Sequence, residues 1–285
     1  MDDAKLSSAA AAMAERVEAA LGGQGRVGVA FSGGVDSSVL LALATRCLGP
    51  ARTLAILGVS ASLATDERRR AHEVAARIGA PLVELVTHEL ERADYRANGP
   101  DRCFHCKSEL FERIDDELVR RHGLTAVAYG ENADDALRAD RPGAQAATDH
   151  RVLRPLAQAG LTKTDVRLLA SELGLPCADK PAAPCLASRI PHHEPVTEAK
   201  LRQIDDAEQV LRDLGFGEAR VRHHGDVARI EVPAADLERA VTEPVRGRLL
   251  GGVRAAGFRF VSLDLGGVQS GAFTLPLVTV RPVHP

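Results

Sequence analysis

Tryptophan is absent, and tyrosine and phenylalanine together supply nine residues of 285. A dedicated nucleic-acid binder normally combines stacking rings with a basic face. This chain has few of the first and a formal charge of -3, so no nucleic-acid partner is expected. No apolar run approaches the ~20 residues that span a bilayer, so no membrane partner is expected either. Asp2 and Asp3 stand where a signal peptide would carry basic residues, and the cytoplasm is the expected compartment. Five cysteines are too few for a disulfide scaffold, and the odd number leaves at least one unpaired. Their pattern is therefore a question of metal binding or thiol chemistry.

What is present is an ordinary globular composition, 45% hydrophobic and 26% charged, with an amphipathic helix expected near the N-terminus. From residue 26 to about residue 174, short apolar runs alternate with helical patterns. Residues 26–31, 52–60, 81–87 and 125–130 read as strands, and 37–47, 65–78, 106–122 and 162–173 as helices. Near-continuous apolar strands separated by helices imply a doubly wound α/β fold with a parallel sheet covered on both faces. Its ligands are expected at the carboxyl ends of the strands. A proline-rich stretch over 175–195 reads as a loop or hinge. Beyond it a helix at 197–214, two strands around Gly225 and Asp226, further helical segments and a last strand at 258–265 read as a small α+β unit. The expected division is residues 1–190 and 191–285.

The first strand runs into Ser32, Gly33, Gly34, Val35, Asp36, Ser37 and Ser38. A Gly-Gly turn opening a helix gathers backbone N–H groups and the positive helix end at one point, which suits phosphate. A Walker A loop needs Gly-Lys-Ser/Thr and a dinucleotide loop needs G-x-G-x-x-G; neither is there. Without the lysine that reaches terminal phosphates, the loop suits chemistry that releases a whole diphosphate and leaves AMP on an acceptor. Ser60, Gly130 and Glu131, at the ends of other strands, are expected to flank the adenosine and the acceptor, and Asp36 or Glu131 to hold Mg²⁺ against the phosphates of ATP.

Cys103 and Cys106 form a C-x-x-C at a helix start, and Cys185 lies in the proline-rich loop. A redox pair, half of a zinc site and a 4Fe-4S cluster with one open iron position all remain open for these thiols. Cys47 is expected on the buried face of the helix after the phosphate loop, and Cys177 is expected to be structural.

The SGGVDSS turn resembles the PP-loop ATP pyrophosphatase motif. The run from Asp179 through Cys185, Ser188 and Arg189 to Pro191 resembles the signature of the LarE family of ATP-dependent sulfur transferases. Further likenesses are Gly130 to Asp135, Arg141 to Gly143, the run LAQAGLT at 156–162, Arg220 to Gly225 and Leu263 to Gly267. The resemblance implies that the carboxylate of a pyridinium mononucleotide is adenylylated and that sulfur displaces AMP. It makes Cys185, Ser188, Arg189, Arg220 and Arg222 the catalytic set and Glu208 a metal ligand, and it suggests a homo-oligomer. Members with all three cysteines resemble a class in which a 4Fe-4S cluster supplies sulfide, so Cys103, Cys106 and Cys185 are expected to hold one. On a two-residue period Arg220 and Arg222 share one strand face, where both can meet one phosphate. A tRNA-thiolating PP-loop enzyme, a non-catalytic nucleotide-binding protein and an ammonia-using synthetase are the competing readings.

Overall fold

The computed structural model describes residues 6–137, 142–181 and 183–268. Asp2, Asp3, Arg141 and Ala182 lie outside the described residues. The chain divides into two units, Met1–Glu89 with Cys103–Ala183, and Leu90–Arg102 with Pro184–Pro285.

The first unit is built on a four-stranded parallel sheet of β1 (Val27–Ala30), β2 (Thr53–Val59), β3 (Leu82–Val86) and β4 (Ala126–Tyr129), in the order β3-β2-β1-β4. In register, Val27 faces Thr53 on one side and Ala126 on the other. The strand order reverses at β1, and the crevice at the carboxyl ends of β1 and β4 is the switch point of such a sheet. On one face lie α1 (Ser8–Leu21), α2 (Val35–Leu48), α3 (Thr65–Ile78) and α5 (Lys163–Glu172). The periodicity is direct: α1 buries Ala10, Ala14, Val17 and Leu21, one stripe at three- and four-residue steps. α2 buries Val35, Ser37, Ser38 and every residue from Val39 to Ala44, as a helix enclosed by sheet and helices must. The other face is filled by Phe111, Ile114 and Leu118 against Ile56, Leu85 and Leu124. The doubly wound reading therefore holds.

Two local readings change. Cys47 is exposed: in the last turn of α2 only Leu48 is buried, because the helix there runs out from under its cover. The helix expected to open at Cys106 opens at Arg102 as α4 (Arg102–Arg113). Pro100 pre-sets the turn before it, and Arg102 N–H donates to the Gly99 carbonyl at 3.1 Å. Cys103 therefore sits on the first turn and Cys106 at the start of the second, and the helix continues through a π turn at Ile114–Leu118 into Val119–His122.

Glycine is required at two places around the phosphate loop. Gly33 has φ +72°, and a Cβ there would lie 3.0 Å from Ala71 Cα on α3. A Cβ on Gly130, at the end of β4, would lie 2.7 Å from Ser37 N and 2.8 Å from Asp36 C. These are backbone atoms of the first turn of α2 and cannot swing aside.

The second unit pairs β5 (Arg220–His224) with β6 (Val227–Glu231) as an antiparallel hairpin, and β6 with β7 (Phe260–Leu263) in parallel. α6 (Glu198–Asp213) and α7 (Val245–Ala255) pack on each other, and the core gathers Leu211, Phe216, Val221, Ile230, Val253 and Phe258. The segment Leu90–Arg102 joins this unit through Asn98. Fully buried at φ +57°, in the left-handed region that asparagine tolerates, Asn98 donates through Nδ2 to the carbonyls of Ile190 (3.3 Å), Pro191 (2.7 Å) and Glu194 (3.0 Å). The proline-rich loop is thus bonded through its carbonyls.

Replacing Asn98→Ala leaves those carbonyls without their donor, at an expected cost of about 1–3 kcal/mol, read as faster proteolysis within 184–196. Gly130→Ala should cost about 1–3 kcal/mol through overpacking, measured as a lower urea midpoint at unchanged slope.

Candidate functional site

β1 delivers the chain into the Gly33 turn, and Gly34 caps α2 without a side chain, so no side chain accepts from the first-turn amides. The serines organise the loop internally. Ser37 Oγ accepts from Ser32 N–H at 3.2 Å and donates to the Gly34 carbonyl at 3.1 Å, while Ser32 Oγ accepts from Gly34 N–H at 3.4 Å. Ser38 is fully buried, with no hydrogen-bond partner for its hydroxyl among the described residues. The result is a preformed ring of donors at a positive helix end, the physical requirement for holding an anion.

Around this ring the first unit places a charged set. Asp36, in the first turn of α2, accepts from Asn132 Nδ2 at 3.0 Å and pairs with Lys163. Asn132 caps the one-turn helix Ala133–Ala136 by accepting from Asp135 N–H at 2.9 Å. Glu131 is buried and meets Arg154 at 3.3 Å; Arg154 also donates to Thr148 Oγ1 at 2.5 Å. Burial, with the Glu131 carboxylate beside it, raises the Tyr129 pKa above its ordinary value and keeps the phenol protonated. Lys107 stacks over that ring, 4.4 Å from its centroid. Ser60, after β2, donates to the buried Glu89 after β3, whose Oε2 has no partner among the described residues. Asp36 and Glu131 offer the hard oxygens that Mg²⁺ prefers, so the donor chemistry fits that ion. Lys163, Arg154 and Glu89 lie beyond the motifs that mark this site in the sequence.

In the second unit Cys185 is exposed and precedes a 3₁₀ turn, Leu186–Arg189. Arg189 fixes it. Its Nη1 donates to the carbonyls of Pro184 (2.6 Å) and Cys185 (3.3 Å) and to Ser188 Oγ (3.0 Å), while Nε and Nη2 grip both oxygens of Glu208 at 2.8 and 3.2 Å. Burial alone would lower the Arg189 pKa; Glu208 opposite it more than compensates, so the pKa lies above its ordinary value. Glu208 Oε1 also accepts from Val221 N–H on β5 at 3.1 Å. This carboxylate is therefore occupied by a guanidinium and an amide, and it serves here as the anchor of the cysteine loop.

Arg220 and Arg222 are both buried, 4% and 2% exposed, which excludes a merely solvated basic strand. Arg222 forms a bidentate pair with the fully buried Glu231 (3.0 and 2.8 Å) and donates to the Ser188 carbonyl at 3.0 Å. Arg229 also reaches Glu231, at 3.2 Å, and pairs with Asp264. Arg220 is held by Glu218 at 3.6 Å. Desolvation, then the like charges of Arg189 and Arg222, lower its pKa. Each of these arginines thus faces a carboxylate, and the strand end carries a dense, paired charge network next to the turn with Ser188.

Cys103 and Cys106, three residues apart, share one face of α4. Three thiols suit an iron-sulfur cluster by donor type. Yet among the described residues no three His, Cys, Asp or Glu side chains are gathered where they could hold a metal ion. Cys103 and Cys106 belong to the first unit and Cys185 to the second, and no chemical step is derived through a cluster. Among the described residues no helix is long and apolar enough to cross a membrane.

Comparison with known proteins agrees with this geometry. The family model described as asparagine synthase matches residues 8–203. The chain is 41% identical over 243 residues to an uncharacterized protein of Synechocystis sp., covering 85% of this chain and 90% of the relative. It is 36% identical over 246 residues to the pyridinium-3,5-bisthiocarboxylic acid mononucleotide synthase of Lactiplantibacillus plantarum, covering 86% and 88%. The tRNA-specific 2-thiouridylase MnmA of Caulobacter sp. is 30% identical over 55% of this chain and 47% of its own length. Likeness of that extent goes well past one shared turn: the chain belongs to the LarE-like family of PP-loop, ATP-dependent sulfurtransferases.

Proposed function

We propose that the chain converts a carboxylate of a pyridinium mononucleotide into a thiocarboxylate, with ATP as activator and Cys185 as sulfur donor, in the synthesis of a nickel-pincer nucleotide. The observation that carries this reading is the exposed Cys185 fixed by Arg189 on a turn whose next hydroxyl residue, Ser188, is bonded through its carbonyl to the buried Arg222. The sulfur nucleophile thereby adjoins a turn that is bonded to the arginine-bearing strand β5.

The order of events follows from leaving groups. A carboxylate resists attack because oxide is a poor leaving group. The substrate oxygen attacks the α-phosphorus of ATP, pyrophosphate departs from the amides of α2, and an acyl adenylate remains. The Cys185 thiolate attacks its carbonyl carbon and AMP leaves with the former carboxylate oxygen, giving a thioester. Loss of the Cys185 Cα proton with cleavage of its Cβ–S bond releases the thiocarboxylate and leaves dehydroalanine. Arg220 meets the mononucleotide phosphate, while Arg222, already bonded to Glu231 and to the Ser188 carbonyl, holds the adjoining turn in place. Asp36 and Glu131 would hold Mg²⁺, whose chemistry there would be neutralisation of the ATP polyphosphate.

A cluster bound by Cys103, Cys106 and Cys185 is the second source of sulfur, favoured by the two thiols on one face of α4. The likeness to a tRNA 2-thiouridylase supports a nucleic-acid acceptor less well, since it covers 55% of the chain and the formal charge is -3. A homo-oligomer in the cytoplasm remains the proposed setting.

Intact mass spectrometry after incubation with ATP and the biscarboxylate mononucleotide should show loss of one H₂S from Cys185. Unchanged protein mass with repeated turnover would assign the sulfur to a cluster instead. Cys185→Ala should still release pyrophosphate and form no thiocarboxylate; thiocarboxylate from that variant would contradict the role of Cys185.

A further inference from the structure

The phosphate loop from Ser32 to Ser38 carries no lysine or arginine, and one cation reaches it from 127 residues away. Lys163 is the first residue of α5, and its ammonium pairs with the carboxylate of Asp36. Its backbone is pinned on both sides. The Lys163 N–H donates to Asp134 Oδ2 at 2.7 Å. Thr162 and Asp165 form a reciprocal capping box at 2.9 and 3.2 Å. Ala133 N–H donates to the Leu161 carbonyl at 2.7 Å. The main chain is fixed while the side chain remains 40% exposed. That combination delivers a cation to one place and leaves it free to exchange partners. Asp36 is also bound by Asn132, so its two oxygens are both taken in this structure.

Resting on the ATP-binding reading above, we infer that Lys163 is the polyphosphate cation of this loop and that it moves from Asp36 to the phosphates when ATP binds, releasing Asp36 to the metal. An ammonium on a four-carbon stem is a compact charge suited to such a transfer. A polyphosphate offers several anionic oxygens in place of one carboxylate. With the ammonium on Asp36, a divalent cation meets a neutralised carboxylate; with the ammonium on phosphate, it meets a free one. ATP and metal therefore favour each other's binding, and the coupling is reciprocal.

The test uses the full chain and Mn²⁺ as the spin-active stand-in for Mg²⁺. Without nucleotide, Lys163→Ala should bind Mn²⁺ more tightly than wild type, by electron paramagnetic resonance titration. Without metal it should bind ATP about ten- to a hundredfold more weakly, the loss of one charge-assisted contact. Lys163→Arg, which keeps the charge, should recover part of the ATP affinity and restore weak Mn²⁺ binding. Wild-type affinities for both ligands in Lys163→Ala would overturn the inference while leaving ATP binding by the loop intact. Failure of the wild-type protein to bind ATP would overturn the functional reading and this inference with it.

Discussion

The first unit depends on the enclosure of α2. Ten of its fourteen residues are buried, so the helix cannot shift or tilt without opening the core on both sides. Its N-terminus is consequently fixed at the carboxyl edge of the sheet. That rigidity is what turns a glycine turn into a phosphate site: backbone amides carry no specificity of their own, and they act only when held in one arrangement before the anion arrives. Gly130 extends the same constraint to β4, because the end of that strand touches the first turn of α2 with no room for a methyl group.

In the second unit the governing problem is charge. Exposed pairs such as Arg202 with Glu198 contribute at most about 1 kcal/mol. The pairs Arg189–Glu208 and Arg222–Glu231 lie where an unpaired partner costs about 3–5 kcal/mol. The two glutamates are therefore obligatory once the arginines are buried. Those arginines are spent on the turn carrying Cys185 and Ser188. Their main effect is to order a loop that its four prolines between 181 and 195 would otherwise leave without regular hydrogen bonds.

Much of this was legible in the sequence. The four strands of the parallel sheet, the span of α3 and the existence of α5 follow from apolar periodicity and helix-start chemistry, which are local. The phosphate loop was legible for the same reason, since its function resides in consecutive backbone amides. What could not be read locally is pairing at a distance. Nothing near Asn98 announces that its amide holds the carbonyls of a loop 90 residues on. Nothing in the sequence around Lys163 announces Asp36. Cys47 fails for a related reason: helical phase locates a face, and only the tertiary neighbours decide where the cover ends.

Sequence and geometry lead to one chemical claim, that a carboxylate is activated as its adenylate and that sulfur displaces AMP. The oxygen that sulfur replaces must then leave on the nucleotide. With substrate carrying ¹⁸O in its carboxylates, each turnover should place one labelled oxygen in the phosphate of AMP, read by mass spectrometry. AMP without label, or formation of ADP in its place, would contradict activation by adenylylation.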